Sequence, residues 1–333
     1  MIQYGIAEAL RANARYPLHM PGHKRNPKYA LEPALWQDVT EIEGLDDLHN
    51  ASGVIESVQT LAARVYGVPR SFLLVNGSTC GNLAAIRALA ERYGGTELAV
   101  VGDAHRSVAH AAELCNLTLT TPERATDARV CVATSPSYEG VTLDVVAISA
   151  ECERRGLALH VDSAHGAHLG FNEYFPPNAA TLGAVTVVES LHKTLPALGQ
   201  TSVLHLCSDA LEPRRLQRQL DVFQTSSPSY VLLASAEHCL RLLERDGVRL
   251  FADFAERLRR FYASVERVAS VRQPSRGLDP SKILLRGGSA PDLLRRNGFE
   301  PERVTLDGTL LLTSFCDEDE IFQKLSTLLL KGA

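Results

Sequence analysis

Between residues 71 and 207 the chain repeats one pattern: a short apolar run, a turn of glycine or polar residues, then a helical stretch. SFLLV (71–75) runs into NGSTCGN (76–82) and a helix through Leu83, Ala84, Ala85, Ile86, Ala88 and Leu89. ELAVVG (97–102) leads to DAHRSVAHAAELC (103–115), and VCVAT (130–134) leads to SPSYEGVTLD (135–144) and a helix reaching Arg155. Leu157, Ala158, Leu159 and Val161 end at Asp162; Val185, Val187 and Val188 precede Lys193; SVLHLC (202–207) follows. Apolar runs bounded by turns are strands covered on both faces, and strands separated by helices join by right-handed crossovers into a mainly parallel sheet. The expected class is α/β with helices on both faces.

The rest of the chain is organised around that core. Residues 1–50 read as an irregular arm after a first helix, with HMPGHKRNP and the acidic stretch DVTEIEGLDDLH. Val54, Ile55, Val58, Leu61, Ala62 and Val65 share a helical face that Gly67 ends. We expect a large domain over 51–247 and a small α+β domain over 248–333. The segment from Pro228 to about Leu243 reads as one apolar helix and 248–268 as a second, charged one. Short strands near 282–286 and 309–313 and a closing helix from 317 complete the small domain.

Two segments carry chemistry. Asp162 in HVDSAHGAH and Lys193 in SLHKTLPALGQ both follow buried strands, so both emerge at the carboxyl edge of one sheet, where open α/β sheets bind ligands. A lysine forms an imine with an aldehyde, and a carboxylate beside a pyridine nitrogen keeps that ring an electron sink; together they suggest pyridoxal 5'-phosphate. Gly77 and Gly81 let the backbone turn, and Ser78 and Thr79 with the first helical N–H groups suit a phosphate. His192, beside the lysine, suits phosphate donation or proton transfer.

Composition excludes other classes. A hydrophobic fraction of 45% with 22% charged residues is that of a globular chain, and a net charge of −5 without a basic patch argues against nucleic acid. No apolar run reaches transmembrane or signal-peptide length, so the expected location is cytoplasmic. The seven cysteines contain no CxxC pair and read as reduced thiols. A metal hydrolase built on Asp162, His165 and His168 is a distant alternative, because no further cluster completes a shell.

The ordered blocks HMPGHK, TEIEGLDDLH, GVIESVQTLAARVYG, FLLVNGSTCGN, HRSVAHA, SPSYEGVTLD, HVDSAHGAH, SLHKTLPALGQT, SSPSYVLLAS and DPSKI resemble the Orn/Lys/Arg decarboxylase family over roughly residues 17–286. That family has the fold-type I, aspartate aminotransferase-like architecture, which implies a seven-stranded-type sheet and a small carboxyl-terminal domain. The resemblance implies decarboxylation of lysine, ornithine or arginine. It assigns the imine to Lys193, the pyridine nitrogen to Asp162 and ring stacking to His105. Ser78, Thr79, Ser190 and His192 would bind phosphate, and Ala164 and His165 would lie beside the ring.

The resemblance also implies a homodimer with shared sites, to which Ser226, Ser227 and Tyr230 would come from the neighbouring chain. Relatives usually carry a longer carboxyl-terminal region, so this chain reads as a short member. Ser163 stands where many relatives have glutamate, and Arg106 where many have lysine. Asp38, Glu41, Glu43, Asp46 and Asp47, with Glu302 a weaker candidate, would attract a substrate's remote cation, although such a run also suits a solvated face. Arg276, Arg286 and Arg70 are possible carboxylate clamps, although each better suits a solvated position. The alternatives are another reaction of the same cofactor, such as aldol cleavage, elimination or amino transfer, and a cofactor-binding protein without catalysis.

Overall fold

The structure is a computed structural model that describes residues 15–29, 38–42, 45–287, 290–306 and 308–331. The first helix expected in the arm and Glu43 lie outside these residues.

The expected sheet is present, and it is an α/β fold of the fold-type I class. Its strands are β2 (Arg70–Leu74), β3 (Glu97–Val101), β4 (Thr118–Thr120), β5 (Ala128–Thr134), β6 (Ala158–Asp162), β7 (Thr186–Glu189) and β8 (Ser202–Leu206), in the order β2-β8-β7-β6-β5-β3-β4. β4, β3, β5, β6 and β7 pair in parallel, whereas β8 is antiparallel to both β7 and β2. β4 was not anticipated; its TLT run is too short to show a pattern.

Alternate residues of each strand serve two cores, as the two-residue period of a strand requires. Leu73, Cys131, Leu159, Val187 and Val203 face one, and Leu74, Val130, Val132, Val188 and Leu204 face the other. On the first side lies α1 (Val54–Tyr66); on the second lie α2 (Gly77–Tyr93), α3 (Arg106–Leu114) and a helix over Pro213–Phe223.

α2 begins earlier than expected. Gly77 takes the left-handed φ of 74° that lets the chain turn out of β2. Gly81, read as a turn residue, is instead helical: a β-carbon there would meet Val188 Cγ2 at 2.6 Å and Leu74 Cδ1 at 2.8 Å. It lets the helix press onto the sheet. Ser78 and Thr79 therefore belong to the first helical turn.

The two helices expected over 228–243 and 248–268 are one, Tyr230–Ser264. Leu243, Gly247, Leu250, Phe251 and Phe254 keep one buried helical face across the charged ERDGVR segment, and a β-carbon at Gly247 would lie 3.5 Å from Phe171 Cδ1. The carboxyl-terminal part has a three-stranded sheet, β11-β12-β9, of Arg303–Val304, Thr309–Leu312 and Lys282–Leu285. The arm is anchored there, since β1 (Tyr16–Leu18) pairs in parallel with β10 (Phe299–Pro301).

Candidate active site

β6 and β7 are neighbours, with Asp162 in register with Val188. Asp162 ends β6, and Lys193 lies in the single helical turn Leu191–Thr194 that follows β7. Parallel pairing thus delivers both to the same sheet edge. They line a cavity of about 750 Å³ together with Asn76, Ser78, Thr79, Asp103, His105, Tyr138, Glu139, Ala164, His165, His192, Gln200 and Arg303.

Each side chain is held from behind. Asp162, 2% exposed, accepts from the Ala164 N–H at 3.1 Å and from Asn82 Nδ2 at 2.8 Å. His105 is the N-cap of α3, and its Nδ1 accepts from the Ser107 N–H at 3.2 Å. Its ring nevertheless lines the cavity. His192 is anchored through Nδ1 to the Thr201 carbonyl at 2.8 Å. Asn76 makes no side-chain cap on α2, because its amide oxygen accepts from the Thr225 N–H at 3.1 Å. The first N–H groups of α2 are thus without a side-chain cap where Ser78 and Thr79 meet the cavity.

Not every expected residue meets there. Ser190 is fully buried, 3.4 Å from the Ser202 hydroxyl, and does not line the cavity. The three residues weighed as metal ligands face different partners. His168 Nε2 lies 3.2 Å from Asp279 and 3.1 Å from the Ser281 hydroxyl, while His165 packs edge-on against Tyr138. Among the described residues no group of three His, Cys, Asp or Glu side chains is arranged to hold a metal.

The three possible clamps lie at solvated positions, as their favoured reading had it. Arg70 pairs with Glu56 at 3.4 Å, Arg276 and Arg286 are exposed, and none of the three lines the cavity. Arg303 does, lying over the Tyr138 ring. Of the acidic run, Asp46 accepts from the N–H groups of Asp47, Ser52, Gly53, Ile55 and Glu56 and Asp47 from that of His49, so both close backbone turns. Glu302 accepts from the Tyr138 hydroxyl and from the Met20 N–H. Ser226 and Ser227 are exposed, and Tyr230 donates to the Asp46 carbonyl at 2.6 Å; none of them lines their own chain's cavity.

The electrostatics follow from burial. Desolvation lowers the pKa of Lys193, partly opposed by Asp162 and Glu302. It also lowers His105, His165 and His192, with Lys193 adding to each shift. Lys282, which sequence reasoning passed over inside DPSKI, is 2% exposed and is pushed to about 7, mainly by burial. Its ammonium donates to the Ser137 and Tyr138 carbonyls at 3.1 and 3.0 Å, fixing the turn that carries Tyr138. Asn82, in NGSTCGN, was also missed; nothing in a linear motif says that its amide meets Asp162.

Comparison with known proteins agrees with this architecture. A family profile described as "Orn/Lys/Arg decarboxylase, major domain" matches residues 12–120 and 115–283. The chain is 34% identical to the uncharacterized protein YaaO of Bacillus subtilis, across 95% of this chain and 72% of that one. It is 30% identical to the arginine decarboxylase of the same species, across 70% and 53%. Among solved structures, the constitutive lysine decarboxylase of E. coli superposes with a TM-score of 0.77 at 20% identity, across 89% of this chain and 53% of that one. A Leishmania major threonine aldolase gives 0.64 at 17%, across 87% and 92%. These two likenesses concern the fold. The chain spans about half the length of that arginine decarboxylase and of that lysine decarboxylase. With its blocks in family order on a fold-type I sheet and the family profile covering most of its length, the chain belongs to the Orn/Lys/Arg decarboxylase family.

Proposed function

We propose that this chain decarboxylates a basic amino acid, lysine, ornithine or arginine, using pyridoxal 5'-phosphate. The observation that carries the reading is the convergence of Lys193, Asp162, His105 and the first turn of α2 on one cavity, in a chain of this family. The donor set fits the cofactor: uncapped helical N–H groups with Ser78 and Thr79 for a phosphate, a carboxylate for a protonated ring nitrogen, a histidine ring for stacking and an amine for the aldehyde. When bound, the cofactor supplies an aldehyde and a conjugated ring that accepts the electron pair left by departing carbon dioxide.

The chain's own residues do the remaining work. Burial leaves more of the Lys193 amine unprotonated near neutral pH, so it can act as a nucleophile and later return a proton. Asp162 keeps carboxylate oxygens available to a cationic N–H. His192, tied through Nδ1 to the Thr201 carbonyl, lines the cavity beside Lys193. Ser190, outside the cavity lining, holds the turn instead: its N–H donates to the Ala164 carbonyl and its carbonyl accepts from the Lys193 N–H.

A second reading has an observation in its favour. Amino transfer uses a cation to clamp the substrate carboxylate, and Arg303 lines the cavity. The deciding experiment gives the cofactor-loaded chain lysine, ornithine, arginine and a panel of other amino acids, and measures both carbon dioxide and product identity, with Lys193→Ala as control. Carbon dioxide with the matching amine is expected. Keto acids or aldehydes without carbon dioxide would move the assignment to the second reading, and no turnover at all would reduce the chain to a cofactor-binding protein.

The homodimer belongs to the same proposal, with Ser226, Ser227 and Tyr230 serving the neighbour's site. Sedimentation showing a fully active monomer would remove it. No helix among the described residues is long and apolar enough to cross a membrane.

A further inference from the structure

We propose that Asn82 sets the proton positions around the cavity, and that through it His105 is held as the neutral tautomer with its proton on Nε2. The assignment of donors follows from the geometry alone; its functional meaning rests on the cofactor reading above.

The amide nitrogen of Asn82 lies 2.8 Å from Asp162 Oδ2 and 2.9 Å from Ser107 Oγ, and its oxygen lies 2.8 Å from His160 Nε2. A carboxylate only accepts, so the atom facing Asp162 is the nitrogen, and the amide orientation is assigned by that contact. Both amide hydrogens are then engaged, one by Asp162 and one by Ser107. The amide oxygen only accepts, so His160 carries its proton on Nε2. Its Nδ1, 2.9 Å from Thr186 Oγ1, then accepts from that hydroxyl.

The same logic runs outward to His105. Ser107 Oγ accepts from Asn82, so its own hydrogen turns to His105 Nδ1, 2.8 Å away. The Ser107 backbone N–H aims at the same nitrogen from 3.2 Å. A ring nitrogen that receives two donors presents a lone pair, which leaves the proton of the neutral ring on Nε2. Asn82, Ser107, His160 and Asp162 are 1%, 0%, 0% and 2% exposed, so water does not substitute for a misdirected member. Burial also lowers the pKa of both histidines, in keeping with neutral rings.

Topology makes this assembly possible. His160 and Asp162, two apart on β6, share the face that α2 covers, and Gly81 brings the helix close enough for the next residue to reach both. Asn82 is therefore a positioning residue. A neutral His105 brings no cation to the place where a protonated ring would stack, and Asp162 keeps both oxygens as acceptors.

The test labels histidine with ¹⁵N in the full chain and records long-range ¹H–¹⁵N spectra at about pH 8, above the ordinary histidine range, with and without added pyridoxal 5'-phosphate. Signals lost in His105→Gln assign that residue. The expected spectrum shows His105 as a single Nε2–H tautomer. Asn82→Ala and Ser107→Ala should replace it with averaged shifts, while Thr186→Val moves His160 and leaves His105 unchanged. If Asn82→Ala does not fold, the wild-type spectrum and Ser107→Ala decide. An Nδ1–H or doubly protonated His105 in the wild type, or a His105 indifferent to the folded variants, overturns the proposal. Absent carbon dioxide release beside an Nε2–H His105 would instead count against the decarboxylase reading alone.

Discussion

The backbone N–H of Gly22 donates to the carbonyl of His192 across 2.9 Å, tying the amino-terminal arm to the turn that carries Lys193. The Ser314 hydroxyl donates to the Gly22 carbonyl from the other side at 2.6 Å, so three distant segments meet at one glycine. A β-carbon at Gly22 would lie 2.5 Å from Thr194 C and 2.6 Å from Leu195 N, both backbone atoms that cannot rotate away. Gly22→Ala should cost about 1–3 kcal/mol, as overpacking does, and should lower decarboxylation more than the melting temperature alone explains. A melting curve and turnover like those of the wild type would refute this.

Asp46 tests the acidic run. Its carboxylate closes the start of α1 through backbone N–H groups, which outweigh burial and lower its pKa. Asp46→Ala should destabilise the chain by about 1–2 kcal/mol, the usual range for a lost cap, with KM for a cationic substrate unchanged. A raised KM at unaltered stability would return the residue to substrate binding.

Arg303 is the arginine lining the cavity. On the amino-transfer reading Arg303→Met should raise KM for the amino acid by roughly tenfold, about 1.4 kcal/mol of a charge-assisted contact, with kcat little changed, whereas on the decarboxylase reading KM should stay as it is. Steady-state kinetics on the preferred substrate check it, and an unchanged KM removes Arg303 from the binding site.

Stability should fall on mild acidification. Burial lowers the pKa of His160 to about 4, against 6.5 for an ordinary histidine. Between those values the unfolded chain binds a proton that the folded chain refuses. The contribution is therefore fully present above about pH 6.5 and is lost as pH falls toward 4, by roughly 3 kcal/mol. Urea midpoints at several pH values measure it. His160→Gln should flatten the acid limb; an equal slope in both proteins would show that His160 does not contribute.

The strand and helix alternation was legible because a strand buried on both faces leaves an unbroken apolar run, and nearly every expected strand between 71 and 207 lies within a residue or two of its observed bounds. The long helix Tyr230–Ser264 was less legible, since the charged ERDGVR segment hides a buried face that only its packing against Phe171 reveals. Lys193, Asp162, Ser78 and Thr79, which line one cavity, stood out because each closes a local motif at a strand end or helix start, whereas His105, which lines it too, was singled out only by the family resemblance. Asn82, Arg303 and Lys282 were not, because each acts through an element remote in the chain.

By itself the sequence determined most strands and helices of the central sheet and that Lys193 and Asp162 leave the same sheet edge, because periodicity and turn chemistry are local properties. The tertiary structure decided what those residues meet. It turned Asp46 into a helix cap, sent His168 to Asp279, buried Ser190 and brought Asn82 between Asp162 and Ser107. Those outcomes depend on how closely α2 lies on the sheet and how the arm and carboxyl-terminal strands close over it. Such distances arise from side-chain volumes packed across segments far apart in the chain, which no single stretch of sequence contains.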